Sequence, residues 1–122
     1  MKEALNATDE TCVCHCKNCC RAGGSLASIN VIVPESAVEI TGQPKIYHDS
    51  NTDSGTTIQR TFCDNCGSPI YSTTPTMPGV RIVKLGLFDE IPKPSFELYC
   101  KTRPSWNKRI DDAKQFDAMP TK

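Results

Sequence analysis

The stretch from Cys12 to Cys20, CVCHCKNCC, holds five of the chain's eight cysteines in nine positions. Cysteines this closely spaced can reach one metal ion from a tight turn, and zinc binds such thiolates in tetrahedral sites. Cys14, Cys16 and Cys19 have that spacing. A disulfide between Cys14 and Cys16 would be strained, because a single residue separates them. We therefore predict that these three cysteines bind zinc, with Cys12 as a candidate fourth ligand and Cys20 as a bystander.

A second cysteine pair lies in the segment Cys63–Gly67, CDNCG. Gly67 suits a tight turn because it has no Cβ. A redox pair of the thioredoxin kind needs a strand-to-helix context, which the following Ser68 and Pro69 do not offer. We predict that Cys63 and Cys66 also bind zinc. Two arrangements stay open: one four-thiolate site with a spare cysteine, or a three-cysteine site with an open position and a separate site for the pair.

The bulk composition bounds the function. The 122 residues suit a single domain, and we predict one zinc-binding domain over residues 1–122, with residues 1–11 as a flexible lead-in. Lys plus Arg and Asp plus Glu are 14 each, so the net charge of zero argues against a general nucleic-acid binder. No apolar run is long enough to cross a bilayer. The many cysteines and the polar N-terminus predict a cytoplasmic protein with reduced thiols.

Short segments rich in β-branched residues alternate with Gly and Pro turns, which predicts an all-β domain of small antiparallel sheets. Predicted strands cover residues 28–33, 37–41, 45–48, 56–62, 69–73, 80–85 and 95–101. The tail beyond them is expected to hold one short helix or irregular turns.

Other polar residues have a functional and a structural interpretation. His15 lies between two predicted ligands, so it is a candidate general acid–base, or it supports the turn by hydrogen bonding. Lys101, Arg103, Lys108 and Arg109 place four positive charges within nine residues. They are candidate partners for the carboxylates of a glutathione-like ligand, and the alternative is a solvated charged face.

The order of these motifs resembles the glutathione-dependent formaldehyde-activating enzymes, a family that includes centromere protein V. The resemblance rests on CHCKNC, then FCDNCGSPIY, then KLGLFD, then RPSW, and it runs from about Cys14 to Trp106. It implies a β-tent fold of small antiparallel sheets pinned by zinc. It also implies a three-cysteine zinc at Cys14, Cys16 and Cys19 with a free position, and a second, structural zinc at Cys63 and Cys66.

The sequence departs from the family pattern at the second zinc. The family takes two further ligands from an earlier Cys-x-Cys in a first strand, whereas 13 residues precede Cys14 here. We expect that strand to be missing. Either the chain holds one zinc, or it rebuilds a site from Cys12, Cys14, Cys63 and Cys66.

Two classes of function follow. The first is a zinc-dependent carbon–sulfur lyase acting on a glutathione or other thiol adduct such as S-hydroxymethylglutathione, with a specialised lyase, dehydratase or isomerase of another small metabolite as a variant. The second is a non-catalytic zinc module that binds a partner, which requires a closed four-thiolate site. A small-molecule substrate, no nucleic acid, no membrane and a homo-oligomer are the expected partner relations.

Overall fold

The computed structural model describes residues 10–52 and 55–119, and these residues form mostly β-structure with one α-helix, α1 (Lys17–Gly23). The all-β class is therefore confirmed. Short 3-10 turns cover Glu35–Ala37, Leu85–Leu87 and Cys100–Thr102. The strands are β1 (Glu10–Cys14), β2 (Ser28–Pro34), β3 (Lys45–Asp49), β4 (Ile58–Phe62), β5 (Pro69–Thr73), β6 (Val80–Lys84), β7 (Phe96–Leu98) and β8 (Lys114–Gln115).

All eight strands join one sheet in the order β3-β4-β5-β6-β2-β1-β7-β8. The pairings from β3 through β1 are antiparallel, as expected. The pairings of β7 with β1 and with β8 are parallel, so the expectation of purely antiparallel sheets is wrong at this end. The cause is that long connections precede β7 and β8, and such connections permit parallel entry.

The two faces of the sheet differ in chemistry. Val31, Val33, Val83 and Leu85 are buried together on one side and form the apolar core. On the other side, the opposed residues of β1, β2 and β6 nearest to α1 are polar or thiol-bearing, whereas Ile32 and Ile82 lie further along the same face. Because opposed residues in antiparallel strands share a face, the polar and thiol-bearing residues line up across three strands. They are Cys12, Cys14, Ser28, Asn30 and Lys84.

Helix α1 lies over this polar face. Arg21 of the helix forms an ion pair of 3.5 Å with Asp49. Asp49 is buried at the end of β3, where it also accepts a hydrogen bond of 2.9 Å from Arg60 on β4. Within the described ranges, no helix is long and apolar enough to span a membrane.

Most predicted strands are found with small shifts at their ends, but the strand predicted at residues 95–101 shortens to Phe96–Leu98 and is followed by a 3-10 turn. The strand predicted at residues 37–41 is absent: Ala37 ends a 3-10 turn, and residues 38–41 have no regular structure. Three elements were not predicted: β1, α1 and β8, the last of which lies in the tail. Residues 1–9 of the predicted lead-in lie outside the described residues, while Glu10 and Thr11 belong to β1 and Thr11 is buried.

Candidate metal centre

Three thiols meet where β1 gives way to α1. Cys14 is the last residue of β1, Cys16 is the N-cap of α1, and Cys19 lies in its first turn. Their Sγ atoms all lie within 4.8 Å of one another. Thiolates around a tetrahedral zinc, with bonds of about 2.3 Å, are about 3.8 Å apart. The structure therefore brings together the three predicted ligands in an arrangement that could hold a metal ion.

The helix start holds the cluster in place. The Cys16 thiol accepts a hydrogen bond of 3.2 Å from the backbone N–H of Cys19, and the Cys20 N–H donates to the Cys16 carbonyl at 2.9 Å. At the start of the helix, the Cys16 sulfur therefore takes the place of the hydroxyl or carboxylate that usually caps a helix. The C-cap is Gly24, whose φ of 64° is in the left-handed region that favours glycine.

The three thiols shift one another's pKa. Hydrogen bonds from the thiols of Cys14 and Cys19 hold the pKa of Cys16 far below its ordinary value. Hydrogen bonds to Cys16 and to Cys19, together with burial, raise the pKa of Cys14. Thiolates are the form of cysteine that binds zinc.

The structure places the neighbouring cysteines outside the cluster. Cys12 is buried, its side chain bonds to Asn30, and burial raises the pKa of its thiol to about 11. Its role as a fourth ligand stays a prediction. Cys20 donates to the carbonyl of Leu26 at 3.1 Å, which agrees with its interpretation as a bystander.

The Cys63–Cys66 turn lies at the end of β4. The Gly67 N–H donates to the Cys63 carbonyl at 2.8 Å, and the φ of 79° at Gly67 explains the glycine. Cys66 is exposed, and hydrogen bonds from Ser68 and then Cys63 lower the pKa of its thiol. Four strand steps separate β4 from β1, about 19 Å along the sheet.

Within the described residues, the cluster of potential ligands contains neither cysteine of this turn. A single four-thiolate site made from both motifs is therefore not formed in this structure. A separate site at Cys63 and Cys66 stays a prediction.

His15 points away from the thiol cluster and forms a buried hydrogen bond with Glu97. Its Nε2 lies 2.8 Å from Glu97 Oε1, and both side chains are at most 3% exposed. Glu97 lies opposite Val13 in the register, so it is on the face of the sheet opposite to Cys14. Its pKa is lowered, since hydrogen bonds from the Ile110 N–H and the Gln115 amide outweigh the effect of burial. An ionised carboxylate only accepts, so His15 Nε2 carries the hydrogen.

Sequence reasoning missed Glu97, although a charged residue between Phe96 and Leu98 was a visible signal. Besides His15, three donors converge on Glu97 Oε2: Arg103 Nη1 at 3.2 Å, the Ile110 N–H at 2.8 Å and Gln115 Nε2 at 2.6 Å. The carboxylate therefore connects the metal-binding loop (residues 14–19) to the C-terminal segment (residues 103–115).

A cleft of about 260 Å³ opens beside Cys16. Two lysine side chains, an aromatic ring and several amide and hydroxyl groups line it. The lining residues are Cys16, Lys17, Asn18, Asn51, Thr52, Tyr99, Lys101 and Thr102. Of the four cationic residues predicted to bind carboxylates, the structure places Lys101 in this cleft, whereas Arg103 bonds to Glu97.

The family model described as glutathione-dependent formaldehyde-activating enzyme matches residues 2–102. The chain therefore belongs to this family, as the motifs predicted. No curated protein matches the chain in a sequence comparison.

Proposed function

We propose that this member of the formaldehyde-activating family is a zinc-dependent carbon–sulfur lyase acting on a glutathione adduct such as S-hydroxymethylglutathione. The observation that supports it best is the group of three Sγ atoms within 4.8 Å of one another, with Cys16 of this group lining the cleft. In the cleaving direction the carbon–sulfur bond breaks with its electron pair going to sulfur, the hydroxyl becomes the carbonyl of formaldehyde, and the hydroxyl proton passes to the leaving thiolate to give glutathione.

The donor set fits zinc. Three thiolates are soft ligands that suit this ion, and catalytic zinc sites combine three protein ligands with an exchangeable position. When bound, zinc supplies Lewis acidity and a binding position for sulfur or oxygen. Reduced thiols are a condition for this site, so the proposal includes a cytoplasmic location.

The cleft supplies charge for substrate binding. Lys17 and Lys101 carry ammonium groups that attract the carboxylates of a glutathione moiety. The Lys101 ammonium lies 5.8 Å from the centre of the Tyr99 ring, which favours a defined position for the charge. Tyr99 immediately precedes the 3-10 turn that contains Lys101. Its φ of 55° is a backbone conformation that is uncommon for a residue with a side chain.

The same turn is tied to the metal-binding loop. The Thr102 hydroxyl donates to the His15 carbonyl at 2.6 Å, between two of the cysteines. We therefore assign Thr102 and His15 to holding the loop against the cleft. His15 is an unsuitable acid–base group for substrate, because its Nε2 is bonded to Glu97 and its side chain is buried on the opposite face.

The closed, non-catalytic zinc module is the weaker alternative. It needs a fourth protein ligand, and in residues 10–52 and 55–119 no further histidine, cysteine or carboxylate joins the three thiols. The cleft beside Cys16 also provides space for a small-molecule substrate, and a closed module needs no such space.

Metal analysis and an adduct assay test the proposal together. Wild-type protein should contain zinc and should accelerate the breakdown of S-hydroxymethylglutathione, with formaldehyde release as the measured signal. Cys16→Ser should lose activity and the zinc held at Cys14, Cys16 and Cys19, while the matched Cys20→Ser variant, whose thiol lies outside the cluster, should keep both. Zinc-free wild-type protein with titratable thiols would refute the metal assignment. Zinc without acceleration of this reaction would refute the substrate.

A further inference from the structure

Lys84 is a half-buried lysine beside the thiol cluster. It ends β6 opposite Asn30 of β2, and Asn30 lies opposite Cys12 of β1. The Lys84 Nζ donates to the Ser28 hydroxyl at 2.5 Å, and Ser28 is the residue opposite Cys14. The ammonium group is therefore held over the thiol-bearing part of the polar face.

No carboxylate partners this ammonium group: among the ion pairs of the described residues, none includes Lys84. Burial lowers the pKa of Lys84, an ionised Cys19 would raise it, and the charge of Arg60 lowers it further. A partly buried ammonium group that has a hydroxyl partner but no carboxylate partner is costly, so this arrangement favours a nearby negative charge in the working protein.

We propose that Lys84 is the counter-charge of the metal centre, whose ammonium group balances the excess negative charge of three thiolates around a divalent ion. Three thiolates and Zn²⁺ sum to a net charge of −1, and one ammonium group brings the partly buried assembly to zero. The inference rests on the proposed zinc site and adds a residue from outside both cysteine motifs. It assigns Lys84 a positioning and electrostatic role, without direct contact with substrate.

The experiment measures zinc affinity by competition with a chromophoric chelator, in the full chain. Lys84→Met removes the charge and keeps most of the side-chain volume. Loss of one unit charge near the ion at an effective dielectric of about 20 should weaken zinc binding roughly tenfold to a hundredfold. Lys114→Met, at an exposed position of β8, makes the same charge change away from the site and should stay within about twofold of wild type.

A double-mutant cycle separates charge from packing. In a Cys16→His background the zinc centre has two thiolates and no net charge, so Lys84→Met should there change zinc affinity by less than about twofold. A packing role would give the same loss in both backgrounds and would overturn the inference. Lys84→Gln, which can still donate to Ser28, replaces Lys84→Met if that variant does not fold, and wild-type affinity in Lys84→Gln would likewise overturn it. Failure of wild-type protein to bind zinc would refute the proposed function as well, whereas zinc binding unaffected by Lys84 substitution refutes this inference alone.

Discussion

Replacing Glu97 by glutamine should destabilise the protein far more than an isosteric change usually does. Oε2 of Glu97 accepts three hydrogen bonds and Oε1 accepts the bond from His15. A glutamine can keep its oxygen at the Oε2 position. Its amide nitrogen then faces the His15 Nε2–H, so donor meets donor unless the histidine changes tautomer. The Arg103 guanidinium also loses its buried counter-charge.

The expected loss follows from these contacts. Removing one partner of a buried ion pair costs about 3–5 kcal/mol, because the other charge stays buried. Glutamine retains hydrogen-bond acceptance at Oε2, so the lower end applies. We expect the free energy of unfolding to fall by about 3 kcal/mol, a large part of the roughly 5–15 kcal/mol typical of a domain.

Urea unfolding of the zinc-loaded protein, followed by circular dichroism, measures this loss. Glu35→Gln is the matched control, because Glu35 forms an exposed ion pair of 3.1 Å with Arg81. Such pairs contribute about 0–1 kcal/mol. Equal losses in the two variants would refute the role of Glu97 as the buried connection between the metal-binding loop and the C-terminal segment.

Three other perturbations test the remaining parts of the structure. Burial would raise the pKa of Asp49, but bonds from its arginine partners lower it overall, so its stabilising effect is present above the unfolded pKa of about 3.9 and is lost as pH falls through the folded pKa. Asp49→Asn should therefore destabilise the protein at pH 6 and make little difference at strongly acidic pH, and a urea-unfolding difference independent of pH would contradict this. Lys101→Met should raise KM for the adduct several-fold with kcat nearly unchanged, and Lys108→Met should leave both unchanged; equal KM values in the two variants would argue against substrate binding by Lys101. Cys66→Ser should remove the second zinc predicted at its turn and leave the zinc at Cys14, Cys16 and Cys19, as metal analysis per chain would show; a wild-type protein with one zinc would refute the second site.

Local sequence patterns predicted much of the sheet. Alternating β-branched residues marked β2 and β6, and Pro34 marked the end of β2. The same pattern gave a wrong prediction at residues 37–41, where a short run resembling a strand has no partner strand. It did not predict β1, because Cys12 and Cys14 were interpreted only as metal ligands. Free cysteine buries readily, so the same residues also serve as strand interior.

The candidate site likewise combines residues that the sequence predicted with residues that it did not. Cys14, Cys16 and Cys19 are close in sequence, so their spacing alone predicted that they meet. The residues that support them are distant: Glu97 is 82 positions from His15, and Lys84 is 56 from Ser28. Such contacts depend on which strands pair and in which register, and a single sequence specifies neither pairing directly.

Strand register connects the apolar core to the metal centre. Side chains alternate between the faces of a sheet, so a one-residue slip of β1 against β2 would place Val13 where Cys14 now faces Ser28. The burial of Val13, on the same face as Val31, opposes such a slip, because β1 would move this apolar side chain to the thiol-bearing face. The core therefore does more than stabilise the fold: by setting the register, it sets which side of the sheet carries the thiols and which side carries Glu97. Substitutions in the core should for that reason alter metal affinity without contacting the ion.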